Sequence, residues 1–159
     1  MQGGKSQTGY FVLAGDSAVG EGRVGCIAPI MWRSSRQRRV CRSTFGAETL
    51  ALSDGTDAAD YIRGFWHELY HAHDPRDGML NGAFLHYVTD SKDLFDSLSK
   101  TGVPDCAEKR LILELVIMRE FLSRARDSVH WTSTKQMISD ALTKDMPGDY
   151  IRDRLSEGI

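Results

Sequence analysis

One long helical repeat of apolar residues constrains the fold of this chain more than any other feature. From Thr44 to about Ala72 the apolar positions recur at spacings of three, four and seven, which is the period of one face of an α-helix. Ser43 or Thr44 can cap its start, and a turn at 74–78 ends it. Gly55 lies within the stripe and indicates close packing. The stripe consists of Ala47, Ala51, Ala58, Ile62, Phe65 and Leu69.

Short β-branched and aromatic runs surround this helix. Thr8–Ala14 and Arg23–Trp32 predict a hairpin, and Pro29 makes its second strand an edge strand or the site of a bulge. The nearly continuous apolar run Ala83–Thr89 predicts a buried strand. This order predicts an α/β protein with a mixed sheet flanked by helices. A further strand is expected at Ser128–Thr132, and further helices at Ser91–Ser99, Asp105–Ala125 and Lys135–Thr143.

Length and composition favour one domain. A chain of 159 residues with 41% apolar content can bury a real core. We expect residues 1–147 to form it and residues 148–159 to be a charged, peripheral tail. No apolar run reaches the roughly 18 residues of a membrane span, and the N-terminus has no signal-peptide core. Three cysteines without paired spacing favour a reducing, intracellular compartment (cytoplasm or nucleus) and are expected to be small core residues.

Three carboxylates occupy settings that suit two-metal phosphodiester chemistry. Glu48 lies near the start of the long helix, Asp90 where an apolar run stops, and Asp140 in a short helical pattern. Two divalent ions about 4 Å apart need several carboxylates that converge from different elements. A strand end and two helices can supply them.

Basic residues cluster although the net charge is only −2. They are expected to form an exposed loop beside the start of the Glu48 helix, where they can contact a nucleic-acid backbone. The alternative is an ordinary solvated loop. The cluster consists of Arg33, Arg36, Arg38, Arg39 and Arg42.

A second enzyme class is suggested by His67-Glu68-Leu69-Tyr70-His71, which has the H-E-x-x-H pattern of zinc peptidases. The pattern needs a third ligand, and no glutamate follows until Glu108. It also falls in the last turn of the predicted helix, so the simpler interpretation is a hydrated helix end. The remaining histidines, His73, His86 and His130, are expected to be packing or surface residues.

Several segments together resemble a known family. They are Lys5–Tyr10 (KSQTGY), Trp32–Gln37 (WRSSRQ), Ser43-Thr44 with Ala47-Glu48, Thr89–Ser91 (TDS) and His130–Lys144. In this order and spacing they resemble the RNase H domain of copia-type LTR retrotransposon polyproteins. The match runs from about Gly4 to Pro147.

The resemblance implies an RNase H-like fold that cleaves the RNA strand of an RNA–DNA hybrid with two Mg²⁺ or Mn²⁺ ions. Glu48, Asp90 and Asp140 match three of the family's four catalytic, metal-binding carboxylates. The fourth lies on a first, central strand that precedes the Ser6–Tyr10 segment, and here only seven residues precede Thr8, none of them acidic. Asp16 is not expected to replace it, because it lies in the turn at the opposite end of the hairpin.

The resemblance also implies partners. These are the RNA–DNA hybrid and the reverse transcriptase region of the same polyprotein. Glu108–Leu111 stands where the family usually carries a histidine-bearing stretch, so no auxiliary histidine is expected there. The sequence thus predicts a copia-type RNase H domain truncated at its N-terminus. The alternative is a non-catalytic remnant that binds nucleic acid weakly.

Overall fold

The computed structural model describes residues 6–71, 83–104, 106–123, 127–147 and 149–157. The predicted turn at 74–78 and the predicted helix ends at Ala72, Asp105 and Ala125 lie outside these ranges. In chain order the elements are β1 (Gln7–Gly15), a short helix α1 (Ser17–Gly20), β2 (Ile27–Arg36), α2 (Thr44–His71), β3 (His86–Thr89), α3 (Lys92–Ser99), α4 (Lys109–Ser123), β4 (Ser128–Trp131), two 3₁₀ helices (Thr134–Gln136 and Ile138–Leu142) and α5 (Tyr150–Glu157).

The four strands form two separate two-stranded sheets. β1 and β2 pair antiparallel, whereas β3 and β4 pair parallel. The predicted α/β class is therefore confirmed, with both kinds of pairing present. The single mixed sheet is not seen, because among the described residues no strand joins β1 to β3.

The second strand is longer at its C-terminal end than its apolar pattern predicts. β2 pairs with β1 as far as Arg36, which lies opposite Gln7, so Arg33 and Arg36 belong to the strand rather than to a loop. Main-chain pairing with β1 extends the strand through a polar segment that has no apolar alternation. The bulge predicted from Pro29 is confirmed, since the register shifts where Val12 and Leu13 face Met31 and Pro29.

The long helix has the predicted extent but a different buried face. Phe65 and Leu69 are 55% and 60% exposed, so the C-terminal part of the predicted stripe is wrong. α2 contacts β1 and α4, and in its first half Gly55 packs against Tyr10. Thr49 and Thr56 are buried there, and their hydroxyls donate to main-chain carbonyls four residues earlier, at 2.8 and 2.9 Å.

The apolar core lies between α3 and α4. Leu94 and Leu98 pack against Leu115 and Met118, with half-buried Cys106 at the edge. Cys41 is also half-buried, but Cys26 is exposed, so the prediction of three core cysteines is wrong for that residue. Cys26 lies in the turn before β2, where its N–H donates to the Asp16 carboxylate at 3.1 Å.

The C-terminal segment, which was expected to be a charged tail, contains regular secondary structure. The predicted helix at Lys135–Thr143 forms as two 3₁₀ helices, and α5 follows within the charged segment. The Tyr150 hydroxyl donates to the carbonyl of Lys135 at 3.3 Å. Among the described residues, no helix has both the length and the apolar content to cross a membrane.

Candidate carboxylate centre

Glu48, Asp90 and Asp140 interact electrostatically although they lie on three different elements. Glu48 is on α2, Asp90 directly follows β3, and Asp140 is in the second 3₁₀ helix. Burial raises the pKa of Glu48, and the negative charges of Asp90 and Asp140 raise it further. The fold therefore brings together the three predicted residues, which we call the carboxylate centre.

Buried Gln37 positions the helix turn that carries Glu48. Its side-chain amide donates to the carbonyl of Ala47 at 3.2 Å, and its main-chain N–H donates to the carbonyl of Ser6 at 2.8 Å. Ser43 provides the predicted cap, since its hydroxyl oxygen accepts from the Gly46 N–H at 3.0 Å. The same hydroxyl donates to Glu108 at 2.8 Å, which links the start of α2 to the segment before α4.

The β1–β2 hairpin positions Asp140. Gln7 Nε2 and Ser34 Oγ both donate to the carbonyl of Leu142, at 3.1 and 2.5 Å. Gly9 lies so close to this segment that a Cβ there would be 2.5 Å from Thr143 Cγ2. The hairpin therefore holds the second 3₁₀ helix in place, and a glycine is needed for the close approach.

The second sheet positions Asp90. Trp131 Nε1 donates to the main-chain carbonyl of Asp90 at 3.1 Å, and the Thr132 N–H donates to the carbonyl of Thr89 at 3.0 Å. The buried Thr89 side chain also accepts from the Ser91 N–H at 3.1 Å. These bonds fix the chain on both sides of Asp90 to the end of the β3–β4 pair.

Lys144 is a fourth member of the centre that sequence reasoning did not identify. Its ammonium nitrogen lies 2.7 Å from Asp140 Oδ2. This hydrogen bond, with the charges of all three carboxylates, raises the pKa of Lys144. The i,i+4 spacing of Asp140 and Lys144 within the matched segment was the available signal.

The donor atoms of the centre are carboxylate oxygens, which hard cations such as Mg²⁺ and Mn²⁺ prefer. Within the described ranges, however, no three histidine, cysteine or acidic side chains are arranged closely enough to hold a metal ion. The type of donor atom thus fits a divalent cation, whereas the carboxylates are spaced more widely than the ligands of a preformed metal site. Asp16 does not belong to the centre, because its carboxylate accepts from the N–H groups of Ala18, Val19 and Cys26, and these bonds lower its pKa.

The predicted basic cluster faces acidic groups as well as solvent. Arg39 pairs with Glu114 of α4 at 2.6 Å, and Glu114 also accepts from Ser53 at 2.9 Å. The cleft beside this pair is lined by four of the arginines together with the acidic residues Asp54, Asp57 and Glu114; the arginines are Arg33, Arg36, Arg38 and Arg39. Arg42 lies apart from them, directly before the cap of α2. Part of the positive charge is therefore compensated within the protein.

The H-E-x-x-H pattern occupies the C-terminal end of α2, as expected. His67 is half-buried and Glu68 is exposed, while the side chain of His71 and all of His73 lie outside the described part of the chain. Among the described residues, His67 belongs to no group of three or more side chains that could hold a metal ion.

No protein-family model matches this chain, and no curated protein or solved structure resembles it significantly. The resemblance to retrotransposon RNase H domains therefore rests on the sequence motifs alone.

Proposed function

We propose that this chain is an RNase H-like domain of the copia retrotransposon type, whose carboxylate centre binds Mg²⁺ or Mn²⁺ beside an RNA–DNA hybrid. The proposal is carried by the negative charges of Asp90 and Asp140, which both act on Glu48 from two other elements. These are the residues that the motif order selects, and they are distant in sequence.

The charges of the centre support cation binding. The three carboxylates act on the ammonium group of Lys144, and the pKa of Glu48 is raised despite that positive charge. A divalent cation relieves this repulsion, and when bound it supplies activated water and stabilises the departing oxygen. Glu48 and Asp90 would bind one cation and Asp140 the second. Lys144 would hold the Asp140 carboxylate in a fixed orientation.

The hybrid would approach from the side of the arginines. Arg42 directly precedes the cap of the helix that carries Glu48, and Arg33, Arg36 and Arg38 are exposed. Such residues bind phosphates without reading sequence, so the contact should weaken steeply with salt. The Arg39 side chain is 67% exposed, but its pairing with Glu114 compensates its charge and reduces its contribution.

Turnover by residues 1–159 alone is expected to be low. The family uses four carboxylates, and the one without a counterpart here would touch both metals. Losing such a ligand should cost several kcal/mol of transition-state stabilisation, hence orders of magnitude in rate. In this proposal the domain acts together with the reverse transcriptase region of its polyprotein.

Thermal unfolding with and without Mn²⁺ tests cation binding directly. At a Mn²⁺ concentration tenfold above its Kd, binding should stabilise the protein by about 1.4 kcal/mol. Asp90→Asn should abolish this increase, while the exposed Asp93→Asn on α3 should keep it. An equal Mn²⁺ effect in both variants would place cation binding elsewhere and contradict the proposal.

Cleavage and binding of a labelled RNA–DNA hybrid test the remaining part. We expect weak binding that is lost on combining Arg36→Ala with Arg42→Ala, and little cleavage with either metal. Rapid cleavage abolished by Asp90→Asn would show that three carboxylates suffice. Hybrid binding unaffected by the arginine substitutions would contradict the proposed interface.

A further inference from the structure

A second cluster of side chains lies on the exposed face of the β3–β4 pair. His86 of β3 is directly opposite Ser128 of β4, and His130 follows two residues later on the same face of β4. We call His86 and His130 the histidine pair, and Ser128 is the serine beside them. No sequence motif associates these residues, because their proximity depends on the parallel register of two strands.

Both imidazoles converge on the serine hydroxyl. His86 Nδ1 and His130 Nε2 each lie 2.7 Å from Ser128 Oγ, and the two nitrogens are 3.4 Å apart. The ring centroids are 5.5 Å apart. Since a hydroxyl has only one proton, it can donate to one imidazole nitrogen and must accept from the other.

We propose that His86 Nδ1 and His130 Nε2 form a binding site for a late first-row divalent cation of the Zn²⁺ type. Two imidazole nitrogens on one tetrahedral Zn²⁺, each about 2.0–2.1 Å from the ion, are about 3.3–3.4 Å apart. The observed separation already has this value. The cation replaces the Ser128 hydroxyl as the shared partner of the two rings, and water completes its coordination because both histidines are exposed.

Gly20 of α1 determines how the His86 ring is placed. A Cβ on Gly20 would lie only 2.8 Å from His86 Nε2, so the ring packs directly against this glycine. With Nε2 directed at α1, Nδ1 is the nitrogen that faces His130. The ring is therefore held in the orientation that the proposed site requires.

The protonation state of the second ligand also suits a cation. Partial burial and the neighbouring His86 both lower the pKa of His130. A neutral imidazole is the form that binds a metal, so protons compete less at neutral pH. Imidazole nitrogen favours Zn²⁺, Cu²⁺ and Ni²⁺ over Mg²⁺, which separates this site from the carboxylate centre.

Zn²⁺ titration of the full chain, followed in imidazole ¹H–¹⁵N spectra, tests the site. Zn²⁺ should shift His86 Nδ1 and His130 Nε2 together, whereas Mg²⁺ should leave both unchanged. His86→Ala and His130→Ala should each weaken binding at this site about tenfold or more, as expected for the loss of one of two ligands. Ser128→Ala should keep binding, because it removes only the competing partner.

Two further variants separate this site from other zinc-binding groups and from general unfolding. His67→Ala combined with His71→Ala removes the histidines of the H-E-x-x-H pattern and should leave the His86 and His130 shifts intact. Gly20→Ala keeps both ligands but displaces the His86 ring, and it should weaken Zn²⁺ binding in a protein that still melts cooperatively. Unshifted His86 and His130 signals at saturating Zn²⁺, or shifts lost in the His67/His71 variant, would overturn the proposal.

Discussion

Among single residues, Glu48 combines partial burial with two like charges. Its pKa is therefore higher in the folded chain than the ordinary value of 4.5, despite the opposing effect of Lys144. Glu48 is harder to ionise in the folded state than in the unfolded state. It therefore lowers the free energy of unfolding at pH values above its raised pKa, and it has no such effect at pH values below 4.5.

We accordingly expect Glu48→Gln to stabilise the protein. Because the side chain is only half-buried, solvent screening limits the gain to about 0.5 kcal/mol at pH 7. Thermal unfolding in EDTA should show the gain shrinking as pH falls towards 4. Glu120→Gln, an exposed change on α4, serves as the control and should have no effect. A destabilised Glu48→Gln protein at pH 7 would show that Glu48 makes a favourable contact as an anion.

Gly9 gives a second residue-scale prediction. The Cβ of Gly9→Ala would lie 2.5 Å from Thr143 Cγ2 and 3.1 Å from Leu142 Cβ, so the second 3₁₀ helix must move. Overpacking of this kind costs about 1–3 kcal/mol. The displacement should also weaken any Mn²⁺ stabilisation, because Asp140 is in the same helix.

A double substitution tests that mechanism. Thr143→Ser removes the methyl group that the new Cβ would meet, so it should recover part of the stability lost in Gly9→Ala. Denaturant unfolding of the two single variants and the double variant gives the coupling. Strictly additive losses would show that the clash with Thr143 is not the cause.

At the scale of elements, Arg63 joins α2 to the entrances of both strands of the second sheet. Its guanidinium contacts Asp60 and lies 2.7 Å from Asp127 Oδ2, just before β4. The other oxygen of Asp127 accepts from the N–H of Leu85, just before β3, at 2.9 Å. The Asp127 side chain is only 1% exposed, so its charge depends on these partners.

Arg63→Ala should therefore destabilise the protein by about 3 kcal/mol, because it leaves a buried carboxylate without its cation. The matched control is Arg152→Ala, which removes an exposed pair with Asp149 and should cost less than about 0.5 kcal/mol. Denaturant unfolding measures both. Equal costs would show that Asp127 becomes solvated when Arg63 is removed.

Among the helices and strands, the sequence predicts those features that have a strong local signal. The apolar period gives the extent of α2, and Pro29 gives the bulge, because both effects are local. The polar end of β2 was missed because only pairing with β1 makes it a strand. The approach of the three carboxylates was expected from motif order, and the i,i+4 spacing of Asp140 and Lys144 was a local signal for that pair. The histidine pair depends on tertiary contacts that no local pattern encodes.

At the scale of the whole molecule, the feature with the largest consequence for stability and association is that the strands form two separate sheets. β1 and β3 each have one strand neighbour in the described part of the chain, so the other side of each strand is an edge of its sheet. Unpaired edges promote association. In the RNase H-like fold that we propose, a central strand would lie between them.

We expect residues 1–159 to associate as the protein concentration rises and to unfold at a low Tm. Fusing a β-forming segment ahead of Ser6 should suppress association and raise Tm, since unpaired buried main-chain groups cost about 1–3 kcal/mol each. A Gly/Ser-rich segment of equal length is the control. Sedimentation velocity and calorimetry provide the measurements. A chain that is monomeric, and that melts as high without the strand as with it, would contradict this expectation.

The division into two sheets also makes the carboxylate centre sensitive to events at a distance. Asp90 is fixed to the β3–β4 pair, whereas Asp140 is fixed through Gln7 and Ser34 to the hairpin. Any partner that changes the spacing of the sheets changes the distance between these two carboxylates. Such coupling is reciprocal. If the partner changes the affinity of the centre for a cation by some factor, the cation changes the affinity of the protein for that partner by the same factor. Cation occupancy and strand or hybrid docking would then be allosterically linked without any residue shared between them.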